Sequence, residues 1–172
     1  MRCKNMKNKY RFKDGLFFIE VFHKENRFEC VLDEESFNIV KEHKGRWSIK
    51  NDGYPYANIR QLNGSFKKVS MQRFIMKPQK DMIVDHINRN ILDFRKSNLR
   101  IVTRGQNTQN ISINGNRRNT TGHRNICRRG KKYEVQVKGE YLGRFETLEE
   151  AIKVRDNALK ELQPYAFESL AK

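Results

Sequence analysis

Hydrophobic and polar positions alternate along this chain in short blocks. Residues 16–22 (LFFIEVF) and 28–32 (FECVL) are apolar runs around the polar stretch His23 to Arg27, which predicts two strands and a turn. Asp33 then stands where a helix N-cap belongs, ahead of a short helix near 34–43 with Phe37 and Val40 on its inner side. Trp47 to Ile49 opens another strand, and Asn51-Asp52-Gly53 is turn chemistry. Tyr54, Tyr56, Asn58 and Arg60 alternate with Pro55, Ala57 and Ile59, a strand pattern. Asn63-Gly64 supplies a hairpin turn, residues 65–70 return as its partner, and Ser70 heads a short helix that runs through Met76 and stops at Pro78.

Further on, Met82 to Val84 is an apolar strand that ends in Asp85-His86, followed by a polar loop through Asp93. Residues 97–102 (SNLRIV) form a second short strand. Thr103 and Gln106 are spaced as a capping box that opens a helix carrying Asn107 and Asn110. Asn114 to Thr121 (NGNRRNTT) has no apolar period and reads as a linker. Strands are predicted again at 124–128, 133–138 and 141–145, with Gly130 and Gly139 at the turns. Thr147 and Glu150 make a second capping box. The helix it opens runs to about Leu162 with one stripe of Leu148, Ala151, Ile152, Ala158, Leu159 and Leu162, and Pro164 closes it. A small three-stranded sheet packed on one helix follows from this pattern.

Charge changes the picture most. The 172 residues hold 36 Lys and Arg against 20 Asp and Glu, a net charge of +16. Residues 104–144 carry +8 of it, whereas residues 145–172 are net −2. A chain this basic is expected to meet a polyanion, nucleic acid first; the alternative is a basic surface that binds nothing. No run approaches the length of a membrane span, and no apolar leader stands at the N-terminus. Three cysteines, Cys3, Cys30 and Cys127, are odd in number and far apart, against a disulfide scaffold and against a structural zinc site. The expectation is an intracellular, cytoplasmic protein.

The order strand, loop, strand, helix at 82–112 gathers polar side chains of complementary chemistry. Asp85 offers the hard anionic oxygen that Mg²⁺ prefers, and Asn107 a neutral oxygen. His86 lies on the opposite side of the strand from Asp85 and is a candidate general base. Asn98 can hydrogen-bond the loop or the imidazole. One metal, one base and one phosphate suffice for phosphodiester hydrolysis. Taken singly, an Asp-His pair is usually an ordinary polar pair, and the asparagines could be turn and cap residues; their combination in a basic chain favours a nuclease site.

Residues 81–110 (DMIVDHINRNILDFRKSNLRIVTRGQNTQN) resemble the HNH, or ββα-metal, endonuclease motif, most closely that of phage and intron-associated homing endonucleases. The spacing fits, with twelve residues from His86 to Asn98 and nine more to Asn107. The resemblance implies Asp85 and Asn107 as metal ligands, His86 as general base and Asn98 as the residue that holds the active-site loop. The third position is Asn107 rather than His, an H-N-N variant, and Gln72-Arg73 stands where relatives often have His-Arg. Residues 120–167 resemble the AP2-type DNA-binding domain, carried by Thr121-Gly122-His123-Arg124, Tyr133 to Lys138, Tyr141 to Phe145 (YLGRF) and Thr147 to Ala151 (TLEEA). In that family the sheet enters the major groove. Strand alternation puts Glu134, Gln136 and Lys138 on one face and Tyr133, Val135 and Val137 on the other, the valines against the helix. Arg124, Arg128, Arg129, Gln136, Lys138 and Arg144 are the candidates for DNA contact, each weighed against a solvated charge.

The expected fold class is α+β: a small β-rich N-terminal region (1–69), a central ββα-metal HNH core (70–112), a linker (113–122) and an AP2-like three-stranded sheet on one helix (123–167). The expected function is a metal-dependent, sequence-selective DNA endonuclease of the homing type. It would use Mg²⁺, with Mn²⁺ as the alternative, on double-stranded DNA, and act as a monomer without a small-molecule cofactor. The competing readings are a non-catalytic DNA-binding regulator and, with nothing to favour it, an RNA-binding protein.

Overall fold

The computed structural model describes residues 6–110 and 119–166. They form two compact units, Met1–Val102 and Thr103–Lys172 in extent. The architecture is mixed α and β, with small sheets and four helices among the described residues.

In the first unit, β1 (Tyr10–Lys13), β2 (Leu16–His23) and β3 (Asn26–Leu32) make an antiparallel meander. The β2 run alternates as a half-buried strand should: Ile19 and Val21 are fully buried, and their partners Cys30 and Phe28 follow in register. Strand β1 has no apolar run to announce it, since three of its four residues are exposed. Helix α1 (Glu34–Val40) starts at Asp33, whose carboxylate accepts from the Ser36 N–H at 2.9 Å, and it buries Phe37 and Val40. A second sheet follows, of β4 (Ser48–Ile49), β5 (Pro55–Arg60) and β6 (Phe66–Ser70), with β5 in the middle. Ser70 precedes α2 (Met71–Met76), although its hydroxyl makes no capping bond. The unit closes with the antiparallel pair β7 (Ile83–His86) and β8 (Leu99–Val102), a 3-10 turn at Lys96–Asn98 leading into β8. One core joins all these elements, with Trp47, Phe94, Ile19, Leu32, Met71 and Val40 fully buried.

The N-terminal meander bonds directly to the loop of the 82–102 hairpin. The Val31 N–H donates to the Leu92 carbonyl at 2.9 Å, and the Phe94 N–H to the Val31 carbonyl at 2.7 Å. Asp33 serves twice: one oxygen caps α1, and the other accepts from the Lys96 N–H at 2.6 Å. The end of β3 thus grips the loop between β7 and β8.

The second unit begins with α3 (Arg104–Gln109), which opens with the capping box of Thr103 and Gln106. Its start falls inside the segment 70–112 expected as one core. Of the expected linker, residues 113–118 lie outside the described residues. Asn119 to His123 are tied by side-chain bonds, with the Thr121 hydroxyl donating to the Ile126 carbonyl at 3.0 Å. Strands β9 (Ile126–Arg129), β10 (Lys132–Val137) and β11 (Glu140–Phe145) form an antiparallel sheet with β10 central, and α4 (Leu148–Leu162) packs on it. Ile126, Val135, Val137, Ala151, Leu159 and Ala166 are its fully buried core. Both capping-box bonds of Thr147 and Glu150 are made. No helix of the described residues is long and apolar enough to cross a membrane.

Candidate active site

Strand β7 delivers Asp85 and His86 side by side at its end, and both are buried. Cross-strand register sets their neighbours: Asp85 faces Arg100 and His86 faces Leu99. Arg100 donates to one oxygen of Asp85 from Nε at 2.9 Å and from Nη2 at 2.6 Å. The pair is largely shielded from water, so each charge is compensated in place.

His86 sits among aromatic rings. Phe94 from the loop meets it edge-on at 5.3 Å between centroids, and Tyr54, from the turn between β4 and β5, lies at 6.1 Å. Burial pushes the imidazole pKa down to about 4; the negative charges of Asp85 and Asp93 oppose the shift without cancelling it. The ring is therefore neutral at pH 7, the state a general base requires. The Tyr54 hydroxyl is pushed up, by burial first and then by Asp52 and Asp85.

Asn98 fastens the loop. Its side-chain oxygen accepts from the Asn88 N–H at 2.9 Å, its Nδ2 donates to the Asp93 carbonyl at 2.9 Å, and its own carbonyl accepts from the Ile87 N–H at 2.8 Å. Asp93 is a second post, accepting from the Asn88 amide and from Arg95. Burial pushes the Asp93 carboxyl up, but the bonds and charge of Arg95 and the Asn88 amide together outweigh it and hold the group below its usual range. Asp85, His86 and Asn98 are thus brought together by one strand pair and one loop.

Residues 77–109 match the family model of the HNH endonucleases. No curated protein and no solved structure matches the chain. The HNH match takes in β7, the clamped loop, β8 and α3, and excludes Tyr54, which lies beside His86, and Val31 and Asp33, which hold the loop. It suggests nuclease chemistry for this segment, with DNA as the substrate; HNH nucleases generally use a divalent metal.

Metal fit can be judged from the donors. Among the described residues, no three of His, Cys, Asp and Glu gather into a cluster. Mg²⁺ needs none, because it keeps several waters and takes one or two carboxylates plus phosphate oxygens. The buried Asp85 carboxylate is the donor of that type here, with Oδ2 already bonded by Arg100, and Asn107, on α3 of the second unit, carries a neutral oxygen of the same hard type.

In the second unit, the sheet register sorts the remaining candidates. Arg144 pairs with Glu134 in register and by an ion pair at 3.1 Å, on the face opposite the buried Val135. Gln136 and Arg129 are exposed on that same outer face. Arg128 registers with Tyr133, on the helix-facing parity. Lys138 is exposed in the β10–β11 turn with φ +55, beyond the strand that alternation assigned it to. Val137 still pairs with Glu140, so Lys138 and Gly139, both at positive φ, are the two residues of the hairpin turn. Arg124 is tied inward: it donates to the Gln109 carbonyl, and its own carbonyl accepts from the buried Arg155 at 2.9 Å.

Sequence reading missed Arg100, Tyr54 and Phe94 as neighbours of the Asp85-His86 pair. Arg100 was within reach of it, since a hairpin that pairs His86 with Leu99 must put Asp85 opposite Arg100. Phe94, a large apolar residue in a polar loop, was the remaining signal.

The depressed His86 pKa has a consequence for stability. An unfolded histidine binds its proton near pH 6.5, while folded His86 waits until about 4. Between those values the unfolded state holds more protons, so stability falls as pH drops through this window. The loss attributable to His86 is on the order of a few kcal/mol for a shift of this size. Urea unfolding at pH 7 and pH 4.5 measures it, and His86→Gln should show a smaller difference. An equal pH dependence in both proteins would contradict the buried, neutral imidazole.

Proposed function

We propose that this chain is a metal-dependent DNA endonuclease of the HNH homing type, with His86 as general base, Asp85 and Asn107 as metal ligands, and Asn98 holding the loop. The carrying observation is the buried Asp85-His86 pair at the end of β7, next to a loop pinned by Asn98, within the HNH match. The neutral imidazole accepts the proton of an attacking water. Asn98 keeps the loop, and Phe94 keeps the ring, in one arrangement through repeated turnovers. Arg100 neutralises the buried Asp85 and fixes the orientation of its carboxylate. When bound, a divalent ion supplies Lewis-acid stabilisation of charge on the phosphate and leaving oxygen. The second unit, with its AP2-like order of three strands and a helix, supplies DNA affinity through Arg129, Gln136 and Arg144, with Arg124, Arg128 and Lys138 as further contacts.

Incubation with supercoiled plasmid, with Mg²⁺ and with EDTA, tests this reading. Relaxed circle or linear product in Mg²⁺ alone is expected, and Asp85→Ala should abolish it while leaving DNA binding in EDTA intact. Binding without cleavage in any divalent metal would move the chain to the class of non-catalytic DNA-binding regulators.

A further inference from the structure

Residues 53–80 lie almost wholly outside the HNH match, and their chemistry is uneven. They contain Arg60, Lys67, Lys68, Arg73, Lys77 and Lys80, and no Asp or Glu. Much of this segment builds β5 and β6. Register places Tyr56 with Ser48 and Ser70, Asn58 with Lys68, and Arg60 with Phe66 on one face; Pro55 and Ala57, both buried, mark the other. The open face carries Arg60 and Lys68, with Arg46 and Lys50 exposed beside it. Among the described residues, none of these four cations has an ion-pair partner. Lys68 lies 4.6 Å from the centroid of the Tyr56 ring.

The hairpin tip is ordered and apolar. The Gln61 N–H donates to the Ser65 carbonyl at 2.8 Å, and the Asn63 side chain accepts from the Ser65 N–H at 3.1 Å. Gly64 takes φ +81, which the turn requires. On this hydrogen-bonded tip Leu62 is wholly exposed, and Phe66 is 70% exposed. Burial within the unit accounts for neither side chain. Just before the other end of β5 stands Tyr54, beside His86.

We propose that the open face of β4–β6 is a second DNA-binding surface: Arg60 and Lys68 lie on the phosphates of a duplex, and Leu62 with Phe66 enters its minor groove. This inference rests on the DNA endonuclease reading of the site. Charge complementarity commits the face to a polyanion, and leucine and phenylalanine are the wedge residues that minor-groove binders insert at base steps. Tyr54, whose ring lies beside His86, leads directly into β5, whose far end is the tip, so one duplex can lie on both. A basic surface with apolar side chains also suits an anionic membrane, but the continuity of this face with Tyr54, beside His86, favours DNA.

The test uses the full chain in EDTA, where cleavage plays no part, with a fluorescent duplex read by anisotropy over a salt series. Arg60→Ala with Lys68→Ala should weaken binding and flatten the slope of log affinity against log salt by about 1.8, two phosphate contacts at about 0.9 each. Leu62→Ser with Phe66→Ser should retain that slope but lose the 2-aminopurine fluorescence rise that unstacking produces in wild type. Thermal midpoints monitor folding; if the first pair shifts its midpoint, Lys50→Gln with Lys68→Gln replaces it with the same expectation. A wild-type slope in the charge variants overturns the proposal, as does tighter binding to duplex RNA or to phosphatidylserine vesicles than to DNA. If the variants lose DNA affinity while wild type never cuts plasmid, the surface stands and the endonuclease reading fails.

Discussion

His86→Ala is expected to slow Mg²⁺-dependent DNA cleavage by about 10²–10⁴, the usual range for loss of a general base. DNA affinity should change little, because a buried ring offers few contacts to bound DNA. The pH profile separates this role from a structural one. A base with pKa about 4 is already unprotonated well below neutrality, so kcat/KM for wild type should stay level as pH falls from 7 towards 5, then drop as pH approaches 4. An ordinary surface histidine would instead lose activity near pH 6.5. Single-turnover rates across this range give the profile, and wild-type rates in the alanine variant would remove His86 from the mechanism. His86→Gln separates chemistry from packing, since it fills more of the space against Phe94 but cannot act as a base.

What the sequence made legible is local. Apolar runs found β2 and β3, alternation found β5, the Asn63-Gly64 turn found β6, and spacing found the Asp33 cap and both capping boxes, because each depends on residues within a few positions of one another. Asp85, His86 and Asn98 were visible for the same reason: one short hairpin holds all three. Contacts across long separations were not visible. Asp33 bonds Lys96 across 63 positions, and nothing in its neighbourhood distinguishes a cap used once from a cap used twice. Strand β1 escaped notice because β2 recruits it through the backbone and only Tyr10 of its four residues is part-buried, which leaves no apolar period to read. The histidine pKa could not be read either. It is set by burial under Phe94 and Tyr54, and Tyr54 arrives from a different sheet.

Phe94→Ala should cost about 3–5 kcal/mol of unfolding free energy, the range for emptying a fully buried aromatic site. Its position makes the upper part of that range the expectation. The side chain is sealed in the core of the first unit and meets His86 edge-on, while its backbone N–H is the 2.7 Å bond that ties the loop to Val31. Collapse into the void is opposed on both sides, by β3 and by the bonds of Asn98 and Asp93 that hold the loop. The void would also admit water beside the imidazole, restoring part of the hydration that burial removes and raising the His86 pKa towards 6.5. One substitution then links scaffold to chemistry: urea denaturation reads the stability loss, and an NMR titration of the His86 ring reads the pKa. Phe12→Ala, at an exposed position on β1, should stay within about 0.5 kcal/mol and serves as the reference. A loss below about 1 kcal/mol for Phe94→Ala, or an unmoved His86 pKa in a folded variant, would mean that the N-terminal sheet does not hold the site in the way its contacts indicate.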